Sequence, residues 1–185
     1  MTEGPVFPAD GARARRLARM IRVDHAGEFG AVQIYRGQRA IFGQSPKTAR
    51  AAALIADMEA GEKAHLETFD ALIAERGVRP TLMAPIWRAA GFGLGAATAL
   101  LGEKAAHACT AAVEEVIEDH YRAQAEALGA EEPAFRETIE RFGAEEGEHR
   151  QTALAEGAEG APGYKLLSGA IKFGCRLAIR ISERV

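Results

Sequence analysis

Two short stretches carry residue types that could do chemistry. "GEKAH" contains Glu62 and His65, and "EEGEH" contains Glu146 and His149. In each, Glu precedes His by three residues, so on a helix both side chains share one face and can reach one point in space. Two more carboxylates stand among residues that a helix should bury. One is Glu28, in "VDHAGEFGAVQIY"; the other lies in "VEEVIEDHY". Glu28 precedes Tyr35 by seven residues and Glu62 by 34; Glu114 precedes Tyr121 by seven and Glu146 by 32. Each half therefore reads Glu, Tyr, then Glu-x-x-His. The register of this repeat favours Glu114 as the helix-three carboxylate, with Glu115 as its alternative.

One Glu from each of two helices, plus a Glu-x-x-His from each of two others, is the donor set of carboxylate-bridged two-metal bundles. Oxygen and imidazole ligands in that number suit two iron or manganese ions. Four carboxylates largely neutralise two divalent cations, which makes their burial tolerable; unpaired, they would be costly to bury. The competing explanation is that helical Glu and His merely decorate a solvated face. The matching tyrosines and offsets argue against coincidence. Glu59 and Glu145 read as solvated or as supports outside the ligand set. His25, three residues before Glu28, reads as a support for the site or as a surface histidine. His107 and His120 have no Glu at the required offset. Tyr35 and Tyr121 lie two turns from their carboxylates on the same face. They either hydrogen-bond the site, carry a radical or electron, or sit in the core with satisfied hydroxyls.

Long helices must position these groups. No alternation of period two persists anywhere, and Ala and Glu dominate, which favours helix over strand. The spacing predicts helix one over 11–42. Ser45 and Pro46 are suited to cap and open helix two, which runs to about Arg76. Helix three spans 103–128. Pro133 opens helix four, which runs to about Glu156, and a basic helix covers 164–184. This is an all-α four-helix bundle in a single domain, 1–185, built from two duplicated hairpins, 11–76 and 103–156.

Between helices two and three lies an apolar insert, 81–102, whose one charge is Arg88. It is long enough to span a bilayer, but Pro85, Arg88 and its glycines weaken it as a span. An interfacial helix with Trp87 and Arg88 at headgroup depth fits better, and a buried connection is the alternative. In the last helix Lys172, Arg176, Arg180 and Arg184 form a basic stripe, suited to anionic lipid or to plain solvation.

A chain of 185 residues with a net charge of −3 gives no bulk attraction to nucleic acid. Cys109 and Cys175 form no CxxC pattern, so neither a thiolate metal site nor a disulfide framework is indicated, although the fold could still pair them. The N-terminus lacks the apolar run of a signal peptide. Its arginines (Arg13, Arg15, Arg16, Arg19, Arg22) faintly suggest a transit peptide, against which Glu3 and Asp10 argue, leaving cytoplasmic exposure as the expectation.

Taken together, "RVDHAGEFGAVQIYRGQ", "EKAHL", "ACTAAVEEVIEDHY", "EEGEH" and "CRLAIRISERV" resemble the demethoxyubiquinone hydroxylase family of ubiquinone biosynthesis, from about Arg13 to Val185. The resemblance implies a ferritin-like di-iron monooxygenase with ligands at Glu28, Glu62, His65, Glu114, Glu146 and His149. It implies O₂ as co-substrate and a prenylated quinol, 3-demethoxyubiquinol, as substrate. Electrons would come from the quinol or from a nicotinamide donor such as NADH. A prenyl tail implies a peripheral enzyme on the cytoplasmic face of the cell membrane, with Trp87 and Phe92 facing lipid. A lipid-binding ubiquinone-biosynthesis protein is a candidate partner, and a homo-oligomer stays open. The competing functions are a soluble ferritin-like ferroxidase, a rubrerythrin-like peroxidase and a metal-free helical adaptor.

Overall fold

The computed structural model describes residues 8–185, with side chains from Gly11 onward. Glu3, part of the argument against a transit peptide, lies outside the described residues, and so does the Asp10 side chain. The order is α1 (Pro8–Phe42), α2 (Ala49–Arg76), α3 (Ala84–Leu100), α4 (Glu103–Leu128), α5 (Pro133–Ala155) and α6 (Tyr164–Ser182), with 3₁₀ turns at Pro46–Thr48 and Ala158–Gly160. Among the described residues there is no strand.

The predicted start signals act as expected, with one refinement. Ser45 accepts a hydrogen bond from the Lys47 amide, but the turn it caps is 3₁₀, and α2 begins three residues later at Ala49. Gly77 ends α2 in the left-handed conformation, φ 61°, which glycine adopts without steric cost. Pro133 occupies the first turn of α5.

Helices α1 and α2 form one hairpin, and α4 and α5 the other. Two apolar clusters close the bundle at its ends. One joins Ile21, Phe69, Tyr121, Ile139 and Phe142, and the other joins Tyr35, Ile55, Met58 and Ala106. The charged groups of the two sequence motifs lie between them. The N-terminal arginines tie loops down: Arg13 pairs with Glu132, Arg16 with Glu131, and Arg22 donates to the Arg79 carbonyl at 2.8 Å.

The remaining helices each pack on the first helix of a hairpin, α3 on α1 and α6 on α4. The glycines of the insert have a packing role. A Cβ on Gly95 would fall 1.9 Å from the Ile34 carbonyl oxygen, and one on Gly37 would fall 2.2 Å from the Phe92 carbonyl oxygen. The backbones of α1 and α3 therefore touch, which no larger residue allows. The opposite face of α3 stays exposed at Ile86, Phe92 and Leu100, Leu82 is exposed just ahead of it, and α6 exposes Leu166, Phe173 and Leu177. No helix among the described residues is long and apolar enough to cross a membrane.

Candidate metal centre

Glu28 from α1, Glu62 and His65 from α2, Glu114 from α4, and Glu146 and His149 from α5 meet in the middle of the bundle. Donor atoms of Glu28, Glu62, His65 and Glu146 lie within 4.8 Å of one another, and so do those of Glu62, Glu114, Glu146 and His149. Glu62 and Glu146 belong to both groups. That is the pattern of two ions bridged by two carboxylates, each ion completed by one further Glu and one His.

Several of the polar atoms face a common centre without a hydrogen-bond partner. Glu28 Oε2, Glu62 Oε1, Glu114 Oε2, Glu146 Oε2 and His149 Nδ1 are buried without a hydrogen-bond partner. His149 Nδ1 sits 3.0 Å from Glu62 Oε1, and His65 Nδ1 sits 3.0 Å from Glu146 Oε1. Buried polar atoms normally find partners, and several orphaned acceptors aimed at one place fit a cation. Iron and manganese both match this oxygen-rich set with one imidazole each.

The electrostatics agree. Burial holds Glu62 and Glu114 well above the ordinary carboxylate range, and the neighbouring carboxylates push the same way. Burial also raises Glu28. Burial would raise Glu146 too, but the hydrogen bond from His65 and the nearby His149 imidazole outweigh it and bring it down to about 2. Burial opposes charge on His65, yet its hydrogen bond to Glu146 and the nearby Glu28 carboxylate hold its imidazole up at about 11. Four carboxylates this close cannot all ionise by themselves. Two divalent cations held by these residues would remove that penalty and displace the imidazole protons.

The tyrosines cross between the repeats. The Tyr35 hydroxyl donates to Glu114 Oε1 at 2.6 Å, and the Tyr121 hydroxyl donates to Glu28. Both rings are fully buried. Glu115, the alternative to Glu114, points away and accepts from the Lys172 amine of α6 at 2.6 Å. Glu59 is buried but is engaged by Arg39 at 2.6 Å and Lys63 at 2.6 Å. His25 pairs with Asp70 at 2.9 Å. Trp87 is half-buried and donates its indole N–H to Ser182 Oγ of α6 at 3.0 Å, whereas Phe92 is exposed.

Two contributors were less visible in the sequence. Glu145 accepts from His65 Nε2 at 2.5 Å, which aims Nδ1 at the ligand cluster. Such outer carboxylates fix the tautomer and orientation of a metal-binding imidazole. Gly61, the counterpart of Glu145 in the other repeat, lets the His149 ring approach: a Cβ there would lie 3.2 Å from His149 Cε1.

Residues 15–182 match the sequence model of the family described as ubiquinone biosynthesis protein COQ7. The chain belongs to that family. It is 51% identical over 179 residues to the 3-demethoxyubiquinol 3-hydroxylase of Rhodospirillum rubrum, covering 97% of this chain and 83% of the relative. It is 46% identical over 180 residues to the human NADPH-dependent 3-demethoxyubiquinone 3-hydroxylase, mitochondrial, covering 95% of this chain and 81% of that one. The protein of that name in Dictyostelium discoideum is 46% identical over 172 residues, covering 91% and 77%. The fold of this COQ7-family chain is an all-α, ferritin-like bundle, as the sequence predicts.

Proposed function

We propose that this chain hydroxylates the ring of 3-demethoxyubiquinol, or of a close prenylated relative, using O₂ and two iron ions. The single observation that carries the reading is the pair of buried four-ligand groups that share Glu62 and Glu146. The printed names of relatives up to 51% identical support the substrate class. Glu28, Glu62, His65 and Glu146 would hold one ion, and Glu62, Glu114, Glu146 and His149 the other. Bound there, the metal pair supplies the activation of O₂ that no protein side chain provides.

The chain's own groups do the rest. Glu62 and Glu146 set the separation of the two positions. Tyr35 and Tyr121 hold Glu114 and Glu28 from opposite sides by hydrogen bonds. Glu145 holds His65 in one orientation. The apolar clusters above and below exclude bulk water. A nicotinamide nucleotide is the proposed electron donor, in keeping with the names of the human and Dictyostelium relatives.

We place the protein peripherally on the cytoplasmic face of the cell membrane, where a prenylated quinol resides. Exposed Leu82, Ile86, Phe92, Leu166 and Phe173 favour lipid contact over water, at about 25 cal/mol per Å² of apolar surface covered. A soluble ferroxidase or peroxidase has no need of such a face. The decisive experiment is quinone profiling of cells lacking the protein. A quinone missing one ring methoxy group accumulates if the reading holds. Normal ubiquinone, with no second hydroxylase in the cell, overturns it.

A further inference from the structure

The duplication offers an internal control for deciding which buried polar groups the fold needs. Aligning Glu28 with Glu114 places Tyr35 on Tyr121, Gln38 on Gln124, Asp24 on Thr110 and Ile34 on His120. The cross-bundle bonds repeat with the register. Gln38 Nε2 donates to the Ala106 carbonyl at 3.1 Å and approaches Thr110 Oγ1 at 3.5 Å. Gln124 Nε2 donates to Asp24 Oδ1 at 2.7 Å. One strut joins α1 to α4 through a threonine hydroxyl, and the other joins them through a carboxylate.

The halves then diverge. Where one repeat carries Thr110 and Ile34, the other carries Asp24 and His120. Asp24 is buried, and His120 Nε2 lies 3.1 Å from its Oδ1. The neutral pair serves the same strut, so the packing does not require an acid and an imidazole. Burying an acid beside an imidazole costs more than burying a threonine beside an isoleucine. The second carboxylate oxygen, Asp24 Oδ2, is buried without a partner.

The pair also sits on a route. A crevice of about 200 Å³ between α1, α4 and the end of α6 is lined by Arg19, His120, Gln124 and Glu183. The His120 side chain keeps 19% of its surface exposed, whereas that of Asp24 keeps none. Asp24 is one helical turn from Glu28 on α1, and His120 directly precedes Tyr121, which donates to Glu28. Solvent, imidazole and buried carboxyl thus follow one another inward, with Glu28 one turn further along α1.

We propose that Asp24 and His120 form a proton-holding pair that supplies the Glu28 side of the metal centre from the crevice at Arg19 and Glu183. The need for it rests on the hydroxylase reading. Ring C–H becomes C–OH, the O–O bond breaks and one oxygen leaves as water. That water takes two electrons from the nicotinamide donor and two protons, which must enter a centre whose four carboxylates are buried.

Proton affinity in the pair supports the role. Burial raises Asp24 against the opposing hydrogen bond and charge of His120. Burial would lower His120, but its hydrogen bond to Asp24, the Asp24 charge, and Glu183 and Glu28 beyond it raise it. Both groups are thus biased towards holding a proton. Arg16 and Arg19 on α1 face the crevice with the opposite sign.

The test converts one repeat into the other. Full-length, iron-loaded Asp24→Thr/His120→Ile protein carries the residues that the fold already accepts in the first repeat. Its iron content stays at the wild-type level while quinol turnover falls about 100-fold, the size of a lost proton-transfer step. His120→Ala falls similarly and recovers with added imidazole, a response that a structural role does not produce. Independently of turnover, NMR of the full chain loaded with Zn(II) follows the His120 ring. It titrates above free histidine in the wild type and returns towards it in Asp24→Asn. Undiminished turnover of the double variant, iron lost in proportion to activity, no imidazole rescue, or His120 titrating like free histidine each overturns the proposal. Wild-type protein inactive on the quinol would sink the hydroxylase reading alone, and the titration in the zinc form then decides the pair by itself.

Discussion

Tyr35 donates its hydroxyl to Glu114, the carboxylate of the other repeat, and not to Glu28 two turns away in its own helix. Each repeat therefore braces its partner's ligand. Tyr35→Phe leaves Glu114 Oε1 buried without a donor, which costs about 1–3 kcal/mol of stability. We expect a lower melting temperature and weaker metal retention, both read on the purified protein by thermal denaturation and metal analysis. Melting unchanged from wild type would mean that the bond carries no weight.

The sharing of Glu62 and Glu146 predicts a difference in stoichiometry among ligand variants. Glu146→Ala removes a donor from both groups, so both ions are lost. Glu28→Ala or Glu114→Ala each removes a donor from one group only, so one ion is retained more firmly than the other. Glu115→Ala, which breaks a contact with Lys172, keeps both. Metal-to-protein ratios from elemental analysis check the series. Loss of both ions in Glu115→Ala with none lost in Glu114→Ala would reverse the assignment in α4.

Backbone contact between α1 and α3 leaves no room for a methyl group at Gly95. Gly95→Ala must push the helices apart, costing about 1–3 kcal/mol by overpacking. Gly93, with open space around it, tolerates alanine. Paired denaturation curves of the two variants decide this; equal stability would show that α3 shifts freely.

Lipid contact predicts that Phe92→Glu with Phe173→Glu weakens binding to vesicles of mixed neutral and anionic lipid while the iron content stays normal. Turnover of a long-tailed quinol should fall much more than that of a short-tailed analogue, because both need the same metal centre but only one must be drawn from a bilayer. Equal loss on both substrates would count against this surface.

The Glu and His cluster that could hold metal was legible because helix periodicity turns a three-residue offset into a shared face, and duplication supplied a second copy to compare. Glu114 was separable from Glu115 only by that register, and the structure gives the physical reason: Glu115 turns out towards Lys172 of α6. Groups whose partners are distant in sequence were not legible. Glu145 looked like one more surface acid beside Glu146, and its bond to His65 spans 80 residues. His25 has the spacing of a support for Glu28, but Asp70 of α2 claims its ring. The glycines of the insert read as weakness in a membrane span because composition cannot show that another backbone lies against them. The acceptor of the Trp87 indole N–H, Ser182, lies 95 residues away.

Equivalent positions before the two bridging carboxylates are filled by Glu145 and Gly61, and this gives the centre a chronology. His65, 2% exposed at its side chain, is clasped by Glu145, whereas His149, 18% exposed, lies against a glycine. An oriented imidazole holds an ion about 10–100-fold more tightly than an unsupported one. An ion at His65 would thus be the first captured during assembly and the last surrendered to a chelator. A timed chelation experiment should pass through a one-ion form, and Glu145→Gln should abolish that stage by making both ions leave together.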